Sequence, residues 1–445
     1  MTWRDSLWPV CMERVAIAAP ADSLDEVMAL VADAGTVEFA TPPDAPLETV
    51  SREAVVRDGV AALAGWTPAA SISELSARVA PAGGAVVPLP RPRGFDAPSL
   101  LRSEGVRRSL SPLVTAYGTV PYSNVDPTPL AACAYVLMFG MMFGDVGHGL
   151  LLLVAGAGLF FRRPRRLARF RRAWPFVVGA GLTSMVFGLL YGECFGPTGL
   201  VPVLWLEPLA HPIPLLLAAL GVGALLLGAA YLLGVVNRWR EGGRPAALYS
   251  PAGIAGAALF TGSGLVLAGW YFRLSWLGGV GCLVAAAGLA LAFAGFLAEA
   301  GGGAGGAVQA AIRLLDAVVR LGANLASFAR LAAFGLTHAA IGSIVWKGAS
   351  ELWRHSSPVA AAVVFVAGNA LALIIEGFVV AVQALRLEYY ELFSRVFQTE
   401  GRPFRPWHLP LAVKETTPCP SGSGDACTPS TSPSSSPLSP SSSGP

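Results

Sequence analysis

The chain has 445 residues, of which 54% are hydrophobic and 13% are charged, and its formal net charge at pH 7 is +3. Soluble domains contain about 25% charged residues, so this composition and the mean hydropathy of +0.57 predict a polytopic membrane protein. So small a net charge does not indicate nucleic-acid binding. The six cysteines show no metal-ligand spacing, and neither a metal site nor a cofactor is predicted.

The first 125 residues predict a small cytosolic α/β domain. The run RVAIAAPA predicts a strand, SLDEVMALVADAG a helix that ends at Gly35, and TVEFA a second strand. A similar strand–helix–strand pattern recurs over residues 60–89. The alternative is a partly ordered, proline-rich leader, because proline and glycine punctuate residues 80–98. Charged residues interrupt residues 1–25, so no signal peptide is predicted and the N-terminus is expected in the cytoplasm.

Apolar sequence dominates residues 126–410, which we predict to form a membrane domain. A helix needs roughly 20 apolar residues to cross a bilayer. We predict eight spans, near residues 129–143, 148–161, 174–193, 213–235, 252–272, 275–298, 306–346 and 358–398. The last two contain 41 residues each, so they are expected to tilt strongly or to extend into the cytoplasm. Residues 411–445 are rich in serine and proline, which predicts a disordered tail.

The distribution of arginine predicts the orientation of these helices. The first two spans are short and separated by GDVG, so they could instead form one long helix. The segment Arg162–Arg172 contains seven arginines, which places it in the cytoplasm by the positive-inside rule. If the N-terminal domain is also cytoplasmic, an even number of crossings precedes this segment, which favours two short helices. Eight spans then leave both termini in the cytoplasm, and the cell membrane is the expected location.

Polar residues interrupt the seventh predicted span. Asn324, Ser327 and Arg330 follow one another at intervals of three, and His338 returns near the face of Asn324. A charged side chain near the middle of a bilayer costs roughly 2.5–3.5 kcal/mol, so Arg330 is expected to face water or an opposite charge. His338 is either a hydrogen-bonded packing residue or, opposite Glu376 of the next span, part of a proton relay.

The eighth predicted span contains a polar stripe. Asn369, Glu376 and Gln383 fall seven residues apart, which is nearly two helical turns, and Arg386 borders the same face. Glu376 and Arg386 are about 15 Å apart along one helix, so they cannot pair directly and each needs its own partner or water. An ionisable residue within a membrane is a functional candidate by default.

Two further polar sites precede these spans. Asp145 and His148 lie in FGMMFGDVGHG, where they either cap helices at the hairpin or take part in ion handling. Glu193 lies in YGECFG, at the end of the third span, where it is either functional or a solvated loop carboxylate. The glycines around both sites allow close backbone approach.

Four stretches, in order, resemble the membrane subunit of V-type and A/V-type rotary ATPases, called subunit a or subunit I. DPTPLAACAYVLMFGMMFGDVGHG resembles the first hairpin of that family, and SMVFGLLYGECFG resembles its third span. SFARLAAFGLTHA resembles the segment with the essential arginine, here Arg330, and EGFVVAVQALRLEYYELFSRVF resembles the final span, with Glu376 and Arg386 at functional positions. The resemblance covers about Leu110 to Trp407, and the cytosolic domain is shorter than is usual in the family.

The resemblance implies a non-catalytic stator subunit of a proton-translocating rotary ATPase, with half-channels beside a rotating ring of c-type proteolipid subunits. Central and peripheral stalk subunits are further implied partners. Arg330, helped by Arg386, would attract each ring carboxylate in its ionised form. Glu376 with His338 would line the external half-channel, and Glu193 would contribute near the outer surface.

Two other classes of function stay open at this point. A secondary ion transporter usually shows internal repeats with paired broken helices, and no convincing repeat is present. A non-transporting membrane scaffold would fit the short cytosolic domain. The sequence contains no G-x-x-x-x-G-K-[ST] phosphate loop, so ATP hydrolysis by this chain is not predicted. Sodium is an alternative to the proton, because ring residues would largely set ion selectivity.

Overall fold

The computed structural model describes residues 8–91, 96–101, 107–161, 170–355, 357–397 and 400–409. It consists of a small N-terminal α/β domain and a mainly helical region that contains every candidate membrane span. The tail predicted to be disordered, residues 411–445, lies outside the described residues.

A four-stranded antiparallel sheet forms the base of the N-terminal domain. Its spatial order is β2-β3-β1-β4, with β1 at Met12–Pro20, β2 at Val55–Arg57, β3 at Val60–Pro68 and β4 at Ala85–Leu89. Three helices complete the domain: α1 (Leu24–Ala34), α2 (Leu47–Arg52) and α3 (Ile72–Val79). Alternate residues of β1 from Val15 to Ala19 are buried, because successive strand side chains point to opposite faces and only one face meets the core.

Most of the sequence predictions for this domain are confirmed. Helix α1 ends where predicted, because Gly35 adopts a left-handed conformation, with φ of 58°, that glycine tolerates without a steric penalty. The second strand–helix–strand unit is β3, α3 and β4. The prediction of a strand at TVEFA is wrong, since only Glu38 pairs, in an isolated bridge with Trp66. The prolines at positions 42 and 43 follow at once and cannot donate to a sheet.

The far end of the chain completes the core of the N-terminal domain. Trp407 is 1% exposed and packs edge to face against Phe39, with ring centroids 5.7 Å apart. Its indole Nε1 donates to the carbonyl of Ala45 at 2.9 Å. Nearby, Arg402 Nη2 lies 2.6 Å from Glu38 Oε1. Residues 400–409 therefore hold the N-terminal domain against the end of the helical region.

Apolar helices make up most of the remaining described residues. After the short helix α4 (Arg107–Thr115) they are α5 (Thr128–Met142), α6 (Val146–Phe161), α7 (Trp174–Tyr191), α8 (Pro212–Tyr249, kinked at Gly243), α9 (Ile254–Tyr271), α10 (Ser275–Glu299), α11 (Gly303–Ser327), α12 (Ala329–His355), α13 (Pro358–Leu371), α14 (Gly377–Leu387) and α15 (Ser394–Val396). Within the described residues, six continuous helical stretches are long and apolar enough to cross a membrane, which makes this a multi-pass membrane protein. Helices α5 and α6 are shorter, at 15 and 16 residues.

The segment around GDVG forms a tight hairpin of two helices. Helix α5 ends at Met142 and α6 begins at Val146, so the two short helices favoured by the arginine distribution are present. Helix α6 packs closely on α7 through glycine, since a Cβ at Gly181 would lie 2.7 Å from the carbonyl oxygen of Gly149. Small residues allow helix backbones to approach in this way. Helix α5 packs against α7, α12 and α14 and occupies the centre of the helical core.

The last two spans are longer than a bilayer is thick. One helical stretch runs over Gly303–His355, 53 residues, with a turn at Phe328 that separates α11 from α12. At 1.5 Å per residue it is roughly 80 Å long, against roughly 30 Å of hydrocarbon. The other stretch, Pro358–Val396, contains two π-helical segments, Ala372–Glu376 and Glu388–Phe393. Such segments are rare and are frequent at functional sites.

Candidate functional site

Six buried polar residues converge between α6, α12 and the first π-helical segment. We call this group the hairpin cluster; its members are Asp145, His148, Glu193, His338, Asn369 and Glu376. They come from four separate parts of the chain, and Asp145 has no exposed surface. Buried polar groups are costly unless they contact one another, so the contacts within this cluster show what it can do.

His338 and Glu376 form the central contact of the hairpin cluster. His338 Nδ1 lies 2.9 Å from Glu376 Oε2, which brings together the two residues that the sequence placed on facing spans. The other carboxylate oxygen, Oε1, is buried and has no hydrogen-bond partner among the described residues. Two titratable groups in direct contact, with one acceptor left open, are suited to pass a proton from one to the other.

Asp145 caps α6, as one of the two interpretations of the sequence expected. Its Oδ1 accepts a hydrogen bond from the backbone N–H of His148 at 2.8 Å, and its Oδ2 accepts one from the N–H of Gly196 at 2.9 Å. The first bond satisfies a helix N-terminus. The second ties the hairpin to the loop after α7, so Asp145 fixes the position of two backbone segments.

His148 connects the hairpin to the last span. Its Nδ1 lies 3.3 Å from Asp145 Oδ1, and its Nε2 lies 3.2 Å from the backbone oxygen of Asn369. The side chain of Asn369 is used within its own helix, where Nδ2 donates to the carbonyl of Phe365 at 2.8 Å. Asn369 therefore contributes a backbone oxygen to the cluster.

Aromatic rings enclose the two histidines. The ring of Phe143 has its centroid 4.4 Å from that of His338 and 5.5 Å from that of His148. Phe195 packs edge to face on His148 at 5.2 Å, and the two imidazoles are 5.5 Å apart. Such an apolar enclosure lowers the local dielectric and strengthens every charge interaction inside it.

Glu193 is a member of the hairpin cluster rather than a solvated loop carboxylate. Only 5% of its surface is exposed, and its carboxylate interacts electrostatically with those of Asp145 and Glu376. Its backbone oxygen accepts a hydrogen bond from the N–H of Val146 at 3.0 Å. The first turn of α6 thus holds Glu193 beside the cluster.

A second polar group lies at the other end of the last span, about 22 Å along the helix from Glu376. We call it the arginine cluster; its members are Asn324, Arg330, Arg386, Glu391 and Arg395. Glu391 is buried and interacts electrostatically with the guanidinium groups of all three arginines. The amide of Asn324, oriented by its hydrogen-bond partners, bridges Glu391 Oε2 at 3.0 Å and Arg395 Nη2 at 2.9 Å.

Arg330 and Arg386 have no direct partner in the described part of the chain. Arg330 is half-buried next to the turn between α11 and α12, and Arg386 is exposed on α14. Neither guanidinium forms a hydrogen bond or an ion pair with another described residue. The nearby Ser327 Oγ donates to the carbonyl of Ala323 in its own helix at 3.0 Å. Both arginines are therefore available to a group outside the chain.

Burial decreases along the predicted polar stripe of the last span. Asn369 and Glu376 are buried, Gln383 is half-buried and Arg386 is exposed. The side-chain oxygen of Gln383 is itself buried and lacks a hydrogen-bond partner among the residues described. The stripe thus leads from the hairpin cluster towards the arginine cluster, with Gln383 between them.

Sequence reasoning missed Glu388, Glu391 and Arg395. Glu388 is fully buried, and neither of its carboxylate oxygens has a hydrogen-bond partner within the described ranges. Both glutamates lie in the second π-helical segment. The available signal was the pair of carboxylates in LEYYELF, directly after Arg386 in an otherwise apolar helix.

Comparison with known proteins shows similarity to one family of membrane subunits. Residues 57–201 match the V-type ATPase 116kDa subunit family, and this range includes Asp145, His148 and Glu193. The A-type ATP synthase subunit I of Thermococcus kodakarensis is 26% identical over 369 residues, which cover 78% of this chain and 54% of that protein. The corresponding subunit of Archaeoglobus fulgidus is 28% identical over 402 residues, covering 78% of this chain and 58% of that protein.

A shorter match is closer in sequence. The V-type ATP synthase subunit I 2 of Treponema pallidum is 48% identical over 88 residues, which cover 20% of this chain and 19% of that protein. The chain spans about half the length of the archaeal relatives it matches. The archaeal matches nevertheless cover 78% of this chain, so the chain is similar to A-type ATP synthase subunit I over most of its length and to the V-type ATPase 116kDa subunit family over residues 57–201.

Proposed function

We propose that this protein is the stator membrane subunit of a rotary ATPase and provides two half-channels for proton translocation beside a ring of proteolipid subunits. The observation that carries the proposal is the unpaired state of Arg330 and Arg386 within the described residues. A guanidinium within a membrane needs an opposite charge or water. The buried carboxylate of Glu391 interacts electrostatically with three arginines, so one negative charge of the chain faces three positive charges. A carboxylate from another subunit supplies the missing charge.

The proposed role of Arg330 is to release a proton from that partner carboxylate. A positive charge within about 4–6 Å favours the ionised form of a carboxylate, so a ring carboxylate gives up its proton as it reaches Arg330. The same charge prevents a proton from passing directly between the two half-channels. Arg386, exposed on α14 beside Val379 and Val382, lies on an apolar surface that suits a helix of the ring.

The hairpin cluster is the proposed external half-channel. Glu376 and His338 exchange the proton across their 2.9 Å contact, and Glu193 connects them towards the loop 194–212, which contains no lysine or arginine. Glu388 and Glu391 lie nearer residues 400–409 and are the candidates for the cytoplasmic half-channel. Proton transfer needs groups within hydrogen-bond reach or bridged by a single water.

Substitution of Arg330 by lysine tests the proposed role of the guanidinium. Lysine keeps the positive charge but loses the planar fork, and it can lose its proton in a low-dielectric site. Arg330→Lys is expected to abolish ATP-driven proton uptake in vesicles that contain the assembled complex. Arg320→Lys is the matched control, because Arg320 lies on the same pair of helices in an exposed pair with Asp316. Near-normal pumping by Arg330→Lys would contradict the proposal.

We also propose eight spans with both termini in the cytoplasm. Two observations support an even number of crossings: Ser99, before the first membrane helix, bonds to Arg402, after the last, with a backbone N to O distance of 2.7 Å, and the two segments form a parallel bridge at Pro403. Segments on opposite sides of a membrane cannot pair in this way.

Cysteine labelling tests this topology. In a background without other cysteines, an impermeant maleimide is expected to label Leu204→Cys on intact cells, and Leu167→Cys only after the membrane is opened. Leu204 is 65% exposed in the loop before α8, whereas position 167 lies in the arginine-rich segment and outside the described residues. The reverse pattern would refute the orientation.

A further inference from the structure

We propose that Asp145, His148 and His338 form a binding site for a divalent transition-metal ion of the zinc type. The bound ion would prevent proton transfer through His338 in the hairpin cluster. One ligand atom from each of the three residues lies within 4.8 Å of the others. All three residues are buried. The third ligand comes from a helix far along the chain, which is why cysteine and histidine spacing in the sequence did not indicate a site.

Each histidine has one ring nitrogen within hydrogen-bond distance of an acceptor, and the other nitrogen has no such bond to a described residue within the geometric limits of a hydrogen bond. His338 Nδ1 is held by Glu376 Oε2 at 2.9 Å, and His148 Nε2 is held by the backbone oxygen of Asn369 at 3.2 Å. Metal-binding histidines almost always donate their second N–H to a carboxylate or a backbone carbonyl. The hairpin cluster contains one example of each, and this tautomer leaves a lone pair on the other nitrogen of both rings.

A buried nitrogen without a hydrogen-bond partner is a second observation that indicates a ligand. His148 Nδ1 is buried and makes no hydrogen bond with any described residue, although Asp145 Oδ1 is 3.3 Å away. Ligands of a tetrahedral zinc ion, each about 2.0–2.1 Å from the metal, are separated from one another by about 3.3 Å. The His148–Asp145 separation therefore already equals one edge of the coordination tetrahedron. Asp145 retains free lone pairs, because each of its oxygens accepts only one backbone hydrogen bond.

The chemistry of the donor set selects the class of ion. Two imidazoles and one carboxylate suit zinc, cobalt and nickel, whereas magnesium and calcium prefer sites made of oxygen. Three protein ligands leave the fourth position open for water. The carboxylates of Glu193 and Glu376 lie within electrostatic range of the site, so the surroundings favour a cation. An ion bound to the other nitrogen of His338 leaves the contact of Nδ1 with Glu376 in place, but it occupies the nitrogen by which the ring would exchange a proton with any further group.

Metal binding by the purified full-length chain tests the site. Equilibrium dialysis against Zn²⁺, followed by elemental analysis, is expected to show one tight site per chain, and Co²⁺ in its place should give the visible absorption of a four-coordinate ion. Glu376→Gln removes the carboxylate that orients His338, and should weaken binding on the order of 10–100-fold. His338→Ala and His148→Ala should abolish the tight site.

Two further variants, a control and a substitute, complete the test. His211→Ala is the matched control, because His211 is exposed in the loop before α8 and its loss should leave binding unchanged. If His148→Ala fails to fold, His148→Gln retains a donor to the carbonyl of Asn369 and should still lose the tight site. Binding that survives both His338→Ala and His148→Gln, or that needs His211, would overturn the proposal. The readout is independent of ATP-driven pumping, so it can fail or succeed separately from the proposed function.

Discussion

The hairpin cluster and the arginine cluster deal with buried charge in opposite ways. In the hairpin cluster, acidic and imidazole groups contact one another directly, as His338 and Glu376 do at 2.9 Å. In the arginine cluster, one buried carboxylate, Glu391, serves three guanidinium groups, two of which have no direct partner among described residues. The first group therefore finds its polar partners within the chain. The second has more positive than negative charge among its members, and under the proposed function a carboxylate of another subunit would balance it.

Removal of the shared carboxylate should have the largest effect on stability. Glu391→Gln removes the buried negative charge that faces three arginines and that accepts a hydrogen bond from the Asn324 amide, and the loss of a hydrogen bond to a charged group costs about 1.5–3 kcal/mol. We expect a marked loss of subunit abundance in membranes, measured by immunoblotting, and a lower unfolding temperature in detergent. Glu299→Gln is the control, since its pair with Arg313 is exposed and is worth at most about 1 kcal/mol. Normal abundance of Glu391→Gln would show that the arginines are balanced by other means.

Removal of the charge of Glu376 in the hairpin cluster should reduce proton transport rather than stability. Glu376→Gln keeps an oxygen near His338 but removes the titrating proton, so we expect proton pumping to fall roughly 100-fold or more while the subunit still assembles. Glu351→Gln is a close control, because Glu351 pairs with His355 at 3.2 Å on the surface of α12, with both side chains about two-thirds exposed. A loss of abundance in proportion to the loss of transport would make Glu376 a structural residue and would remove the contrast between the clusters.

The smallest effect is expected at the residue between the clusters. Gln383 does not titrate, and its buried oxygen has no hydrogen-bond partner within the described residues. Gln383→Leu should therefore change the free energy of unfolding by less than about 1 kcal/mol, because removal of an unsatisfied polar group is nearly neutral, and pumping should stay within about tenfold of normal. Val382→Leu, at an exposed neighbouring position, is the control. A larger loss of pumping would indicate a continuous wet path that joins the two clusters.

Features that depend on residues close together in the sequence, such as helix ends and the spacing of polar residues along a helix, could be predicted. Gly35 ends α1 because the chain needs a left-handed residue there. His338 was placed opposite Glu376 of the next span as one of two interpretations, and the two side chains are in contact. The roles proposed for Arg330, Arg386 and Glu193 stay predictions.

Features that depend on distant contacts or on helix irregularity were not predictable. A π-helical segment changes which residues share a face of the helix, but nothing in the composition of the sequence marks where one occurs. The regular helical periodicity of the last span therefore did not indicate that Glu388 and Glu391 are buried. TVEFA has the composition of a strand, but only Glu38 finds a partner. The burial of Trp407 depends on a domain made of residues at the opposite end of the chain, which no local window contains.

The position of Trp407 has a consequence for biosynthesis. A ribosome delivers the strands and helices of the N-terminal domain hundreds of residues before it delivers the indole that completes their core. The domain must therefore wait, with a ring-sized gap beside Phe39 and Ala45, while the apolar helices enter the bilayer. It closes only when residues 400–409 emerge on its own side of the membrane. A nascent chain with one helix inserted wrongly would keep this gap open, which exposes it to quality-control proteases before it meets any partner.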